Sequence, residues 1–427
     1  MEVYHKRPGE VKAGGGKRPQ RASLDDVLTL DAEQMWLWVQ GGLDELLRVM
    51  GLEVALQLLE REAEQLAGKK GKHCKERTAY RHGTEQTRIV MGGAKVPLTR
   101  PRVRTKSGQE VSLETLRLLQ QEDQLNQRIL TQLLMGVSCR KYGRTVEAPN
   151  PCAVSKSSVS RRFTAAMKQE VERFFQRRLE DNYPAIMLDG LAVGDYTMMV
   201  AMGIKSDGTK RILGLCEGAT ENSAVVKSLL QNLLERGLNP DEPRVFVIDG
   251  GKALKKAIND MFGARALTQR CQVHKKRNVL DHLPESEKSS VSLEMTLAYR
   301  EHEYKKAKAK LEFLANRLEY RYPSAAASLR EGMEETLTIH RLGIGGLLRE
   351  TLQSTNALES ANSLCRQTIR RATNIQDGTM AIRHVTAGFL EAERHFHRIR
   401  GYRDIPNLIA AIRRLTSPTQ GDTLQVA

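Results

Sequence analysis

A chain of 427 residues with 67 Lys+Arg against 51 Asp+Glu carries a formal charge of +16. That excess attracts polyanions over long range, so nucleic acid is the expected partner, although charge alone says nothing about fold. With 40% hydrophobic residues the chain can build a large core, which excludes wholesale disorder. It has no run of eighteen apolar residues and no secretory signal, and its six cysteines (Cys74, Cys139, Cys152, Cys216, Cys271 and Cys365) are scattered. No membrane partner is therefore expected, and a reducing, cytoplasmic setting fits.

Residues 1–24 hold six Lys/Arg among glycines and prolines and read as a basic flexible tail. Residues 25–70 read as a helical unit, in which Leu43, Leu47, Met50, Val54 and Leu58 recur at steps of three or four on one face, widened by Leu46 and Leu59. Residues 71–107 form a basic, hairpin-like segment. There Ile89-Val90-Met91 and Lys95-Val96-Pro97-Leu98 flank the turn signal Gly92-Gly93. Arg100, Arg102 and Arg104 then recur at period two on one side of an extended segment, which suits either a phosphate backbone or a solvated edge strand.

Residues 108–182 return to helix, with a break at residues 148–151. In VSKSSVSRRFTAAMKQEVERFF, Ser155 or Ser157 can cap a helix that turns Ser158, Arg161 and Arg162 outward, while Val159, Phe163, Met167 and Val171 form an apolar stripe. That division suits the recognition helix of a helix-turn-helix, with the preceding segment as its support. Any amphipathic surface helix would share the stripe.

Residues 183–280 show the clearest α/β order. Strands are expected at Ala185–Leu188, Tyr196–Gly203, Arg211–Leu215, Arg244–Ile248 and Ala266–Thr268, with helices at Asn222–Arg236 and Lys252–Met261. Three hairpin-connected strands followed by alternating helix and strand make a mixed sheet. Residues 281–355 read as an all-helical insertion broken at Pro323, residues 356–400 as a further helix and the end of the core, and residues 401–427 as a C-terminal tail.

Asp189 closes the apolar run in YPAIMLDG, and Asp249 closes PRVFVIDGG. Two such strand ends with helix between them fit neighbouring strands of one sheet, a rigid support for metal ligands. Asp-Gly is also an ordinary turn signal, so either acid alone reads as a turn. Clustered carboxylates repel, and a divalent cation compensates them; oxygen donors of this kind suit Mg²⁺ working with substrate phosphates.

Glu359 stands in STNALESANS, where Asn356 to Glu359 also spells a capping box, with Ser354 and Thr355 as alternative caps. In favour of a functional role, Glu359, Asn362, Ser363, Arg366 and Arg370 fall near one helical face, a set suited to a nucleic-acid strand. Cys271-x-x-His274 precedes Lys275, Lys276 and Arg277. Zinc needs three or four ligands and only His282 is near, so the pair reads as packing near the carboxylates and the triplet as phosphate contacts. Gly250-Gly251-Lys252 lacks nucleotide-loop spacing, because Phe246 and Ala253 stand where glycine and Ser/Thr are required.

Together IMLDG, FVIDGGKALKKAI, QRCQVHKKRNVLDHLP and STNALESANS resemble the transposases of the bacterial IS256 group, relatives of the Mutator-like transposases, over roughly residues 75 to 400. YRHGTEQTRIVMGGAKVPLTRPRVR is similar to the amino-terminal part of that group. The resemblance implies an RNase H-like core with a DDE triad at Asp189, Asp249 and Glu359. It also implies a helical insertion before the glutamate helix, and a C/D-x-x-H signature at Cys271 and His274. The implied activity is Mg²⁺-dependent, with Mn²⁺ as substitute: binding of terminal inverted repeats, strand cleavage at the element end and joining of the 3′-hydroxyl to target DNA. The expected form is a homodimer or higher oligomer on double-stranded DNA, at the bacterial nucleoid. A nuclease or resolvase on the same core, and a DNA-binding regulator using the 155–175 helix, are the competing classes.

Overall fold

The computed structural model describes residues 43–72, 77–146, 151–218, 222–370, 372 and 375–416, with side chains from residue 49 onward. The expected basic tail and the first part of the helical unit lie outside the described residues. The chain divides into two compact units. One comprises residues up to 129 with 139–161, the other residues 130–138 with 162 onward.

In the first unit, helix α1 (Leu43–Ala67) packs on a two-stranded antiparallel hairpin, β1 (Ala79–Met91) and β2 (Ala94–Thr105). Gly92 (φ 55°) and Gly93 (φ 87°) make the turn and Met91 pairs with Ala94, as the Gly-Gly signal predicts. The buried face of α1 corrects the expected stripe. Ala55, Leu59, Ala63 and Ala67 are buried, whereas Val54 is 46% and Leu58 45% exposed. Three of these four are alanines, small enough to let the helix backbone come close to the hairpin, and bulk alone does not reveal that preference.

Helices α2 (Glu114–Leu119) and α3 (Asp123–Leu134) follow. The Glu62 carboxylate of α1 holds the start of α2 by accepting from the backbone N–H groups of Glu114 (2.6 Å) and Thr115 (2.9 Å). Helix α4 (Lys156–Gln176) starts at Ser155, whose Oγ accepts from the Ser158 N–H at 3.1 Å. Val159, Phe163 and Met167 are buried along it, as the stripe predicts. Residues 135–155 separate α3 from α4, far more than the three or four that join a helix-turn-helix.

The second unit is built on a mixed five-stranded sheet in the order β5-β4-β3-β6-β7. Strands β3 (Ala185–Val193), β4 (Tyr196–Ile204) and β5 (Lys210–Glu217) run antiparallel as successive hairpins. Strands β6 (Arg244–Ile248) and β7 (Ala266–Arg270) continue parallel to β3. Each is reached through a helix, α5 (Ser223–Glu235, capped by Asn222) and α6 (Lys252–Phe262). Ile186 and Leu188 of β3 pack with these two helices on one face, while Met187 and Leu191 join a separate core on the other. That alternation is the period of two of a strand buried on both sides.

Beyond β7 the described chain is helical: α7 (Gln272–Leu280), α8 (Glu285–Arg300), α9 (Tyr304–Glu319), α10 (Pro323–Arg330), α11 (Met333–Thr336), α12 (Thr338–Arg341) and α13 (Gly346–Leu352). Pro323 opens α10, where its missing N–H does no harm. The lobe's core includes Val279 of α7 with Met295, Leu311, Leu314 and Leu329, so the lobe begins one helix before residue 281. Ile339, Leu342, Leu348 and Leu352 already belong to the sheet core. Helices α14 (Asn356–Ile369), α15 (Gly378–Glu393) and α16 (Ile405–Thr416) complete that core. The expected tail is therefore corrected over residues 405–416, where Ile405, Leu408, Ala411 and Ile412 are buried at helical spacing; residues 417–427 lie outside the described residues.

Candidate active site

Strand register builds the site. Leu188 of β3 pairs with Ile248 of β6, and Ile248 with Arg270 of β7. The next residues in line, Asp189, Asp249 and Cys271, therefore stand at one level across three parallel strands. Asp249 closes β6 as expected, but Asp189 lies inside β3, which runs on to Val193 by pairing with β4. What ends at Asp189 is the parallel neighbour, not the strand itself. The Cys271 N–H donates to the Ile248 carbonyl at 2.7 Å, and Asp249 Oδ1 accepts from the Gly251 N–H at 2.9 Å to turn the chain into α6. Gly250 in this turn has φ 105°, and a Cβ there would collide with the Arg270 guanidinium.

Glu359 enters from the opposite layer. Asp189 shares the strand face of Met187 and Leu191, which pack with Leu358 and Ala361 of α14. The Thr355 hydroxyl donates to Glu359 Oε1 at 2.9 Å, and His274 Nε2 lies 3.9 Å from the same oxygen. The capping box does not form: Thr355 is the N-cap, and its side chain makes no capping bond. Burial pushes the Asp189 carboxyl up to about 6, with the Asp249 and Glu359 charges adding to the rise and His274 opposing it. His274 is drawn above its ordinary value mainly by the adjoining Cys271 thiol, with Glu359 and Asp189 contributing, although its Nδ1 has no hydrogen-bond partner among the described residues. Burial pushes Cys271 up, and His274 and Thr355 more than offset it. Among the described residues, no three His, Cys, Asp or Glu side chains are placed to hold one ion as they stand.

The expected basic contacts divide. Lys275 corrects the sequence reading: its side chain is fully buried, and Nζ donates to the Ser328 and Glu331 carbonyls at 2.6 Å each, bracing α7 against the helical lobe. Lys276 reaches Thr296 Oγ1 at 3.3 Å, and Arg277 is exposed. On α14, Arg366, Arg370 and Ser363 are exposed, but Asn362 is buried, and its Oδ1 has no partner among the described residues. One step of three turns Asn362 inward from the expected face. Arg161 is exposed and Arg162 half-buried. Arg100, Arg102 and Arg104 do share one side of β2, where Glu110 pairs with all three at 3.0, 2.5 and 3.8 Å and Glu85 with Arg100 at 2.5 Å. Two contributors were missed from sequence: Arg270, buried beside the Asp249 turn, and Thr355, weighed there only as a cap. A charged residue closing a strand beside two acidic strand ends was the available signal for Arg270.

The family model described as "Transposase, Mutator family" matches residues 20–398. The chain belongs to the Mutator family of transposases. It is 30% identical over 344 residues to the transposase for insertion sequence element ISRM5 of Rhizobium meliloti (strain 1021), covering 78% of this chain and 82% of the relative. It is 28% identical over 335 residues to the transposase for insertion sequence element IS256 in transposon Tn4001 of Staphylococcus aureus, covering 75% and 82%. The resemblance to the IS256 and Mutator groups is thus met, and the family match begins at residue 20, ahead of the roughly 75–400 span over which the sequence resembled that group. No helix among the described residues is long and apolar enough to cross a membrane.

Proposed function

We propose that this Mutator-family protein is a DDE-type DNA transposase that binds terminal inverted repeats, cleaves a strand at the element end and joins the 3′-hydroxyl to target DNA. One observation carries the reading: the register that sets Asp189 beside Asp249, with the Glu359 charge felt at Asp189. The strand order, three antiparallel strands followed by two parallel ones, supports an RNase H-like core.

The donor chemistry fits Mg²⁺, with Mn²⁺ as substitute, because buried like charges at Asp189 call for a cation and every donor is a carboxylate oxygen. Asp189 and Asp249 would hold it from the sheet and Glu359 from α14. When bound, such a cation activates an attacking water or 3′-hydroxyl and stabilises charge on the leaving oxygen. Arg277, Arg366 and Arg370, exposed on α7 and α14, would steer the strand backbone. Arg100, Arg102, Arg104 and Arg161 of the first unit, and Arg162 of the second, would contribute to repeat binding. Strand joining exchanges one phosphodiester for another and needs no ATP. The protein would act on double-stranded DNA at the nucleoid.

The test is substitution at near-constant volume. Asp189→Asn, Asp249→Asn and Glu359→Gln should each abolish end cleavage and joining while repeat binding persists in a shift assay. Wild-type joining by purified Asp249→Asn would sink the triad assignment.

A further inference from the structure

Thr355 occupies the N-cap of α14, where a threonine hydroxyl ordinarily accepts from the second or third helical N–H. Here it makes no such bond; it donates to Glu359 Oε1 at 2.9 Å and lies 3.6 Å from Cys271 Sγ. The residue is completely buried, so no water competes for the hydroxyl. Its neighbourhood is fixed twice. The Gln272 N–H donates to the Gln353 carbonyl at 2.9 Å, and the Cys271 N–H to Ile248 at 2.7 Å, one residue before Asp249. A hydroxyl has one proton, and of its two acceptors Glu359 Oε1 at 2.9 Å is the nearer and Cys271 Sγ at 3.6 Å the weaker.

We infer that Thr355 is a positioning residue for the acidic site: its hydroxyl sets the Glu359 carboxylate against the strand-end level of Asp249. The hydroxyl and the nearby His274 both address Oε1, which leaves Oε2 as the oxygen offered to a divalent cation. A carboxylate ligand held by such an outer hydrogen bond is pre-oriented, and removing the partner typically weakens metal affinity or activity about 10–100-fold. The inference rests on the proposed role of Glu359 as a metal ligand.

Thr355→Val keeps the volume and deletes the hydroxyl, Thr355→Ser keeps the hydroxyl, and Thr355→Ala provides a second hydroxyl-free form if valine perturbs folding. Mn²⁺ binding to the full-length protein, followed by electron paramagnetic resonance, gives a readout separate from strand joining. Thr355→Val and Thr355→Ala should weaken Mn²⁺ binding about tenfold or more and raise the Mg²⁺ concentration needed for joining, while Thr355→Ser stays within about threefold of wild type. Equal loss in the serine and hydroxyl-free forms would overturn the assignment, as would wild-type Mn²⁺ affinity in folded Thr355→Val. Glu359→Gln separates the two levels of the claim. If it is defective while Thr355→Val is normal, only the role of Thr355 falls. If Glu359→Gln itself binds Mn²⁺ and joins normally, the acidic-site reading falls.

Discussion

Asp189 shows at residue scale what a buried carboxylate at a candidate site imposes on its fold. Burial raises it to about 6, so at neutral pH the folded chain holds a charge that the unfolded chain would carry more easily. Asp189→Asn should therefore stabilise the metal-free protein at pH 7 by something on the order of 1–3 kcal/mol, read in denaturant melts. Added Mg²⁺ should raise the stability of the wild type and leave the variant unmoved. A destabilised Asp189→Asn would mean that its carboxylate is structural, not functionally strained. Both aspartates were legible as residues because each ends an uninterrupted β-rich apolar run. That Asp189 sits mid-strand was not, because Gly190 reads as a turn and only pairing with β4 carries the strand through it. Lys275 was misread for a related reason: a lysine in a basic triplet looks solvated until its helix is seen to lie under a second lobe.

At the scale of elements, α7 is the joint between sheet and lobe. Burial lowers Lys275 from 10.5 to about 8, with Arg270 opposing its charge and Glu331 and Glu335 supporting it. The unfolded chain holds this proton more tightly, so stability should rise with pH between about 8 and 10.5, and the full penalty applies below 8. Lys275→Met should remove up to about 3 kcal/mol of that rise, measured as the slope of unfolding free energy between pH 7.5 and 10.5. An identical slope in the variant would contradict the buried brace. On the hairpin, Glu110 is held well down, at about 2, chiefly by its hydrogen bond with Arg102. Glu110→Gln should free the arginine stripe, strengthening duplex binding and steepening its salt dependence; an unchanged slope would remove β2 from the DNA surface. Strands, hairpin turn and most helices were readable from period and punctuation. The face of α1 was not, since alanines chosen for close approach score below the leucines beside them. Helix α16 was missed because its four buried residues come after the last recognisable motif.

For the whole molecule, the proposed action on an element with two inverted ends would call for at least two protein chains, because closed twofold symmetry matches inverted repeats and one site cannot readily process both ends together. Mass measurement on paired terminal-repeat DNA should give two or more chains per pair of ends, and a fully active complex with a single chain would contradict this. The central claim is that Asp189, Asp249 and Glu359 form one strand-joining centre. Its most direct test is incubation of a pre-cut, labelled terminal repeat with plasmid and Mg²⁺, comparing wild type with Asp249→Asn. Joined repeat–plasmid product from the wild type and none from the variant is the predicted result. Plasmid fragments without joining from the wild type, or joining by Asp249→Asn, would contradict the account.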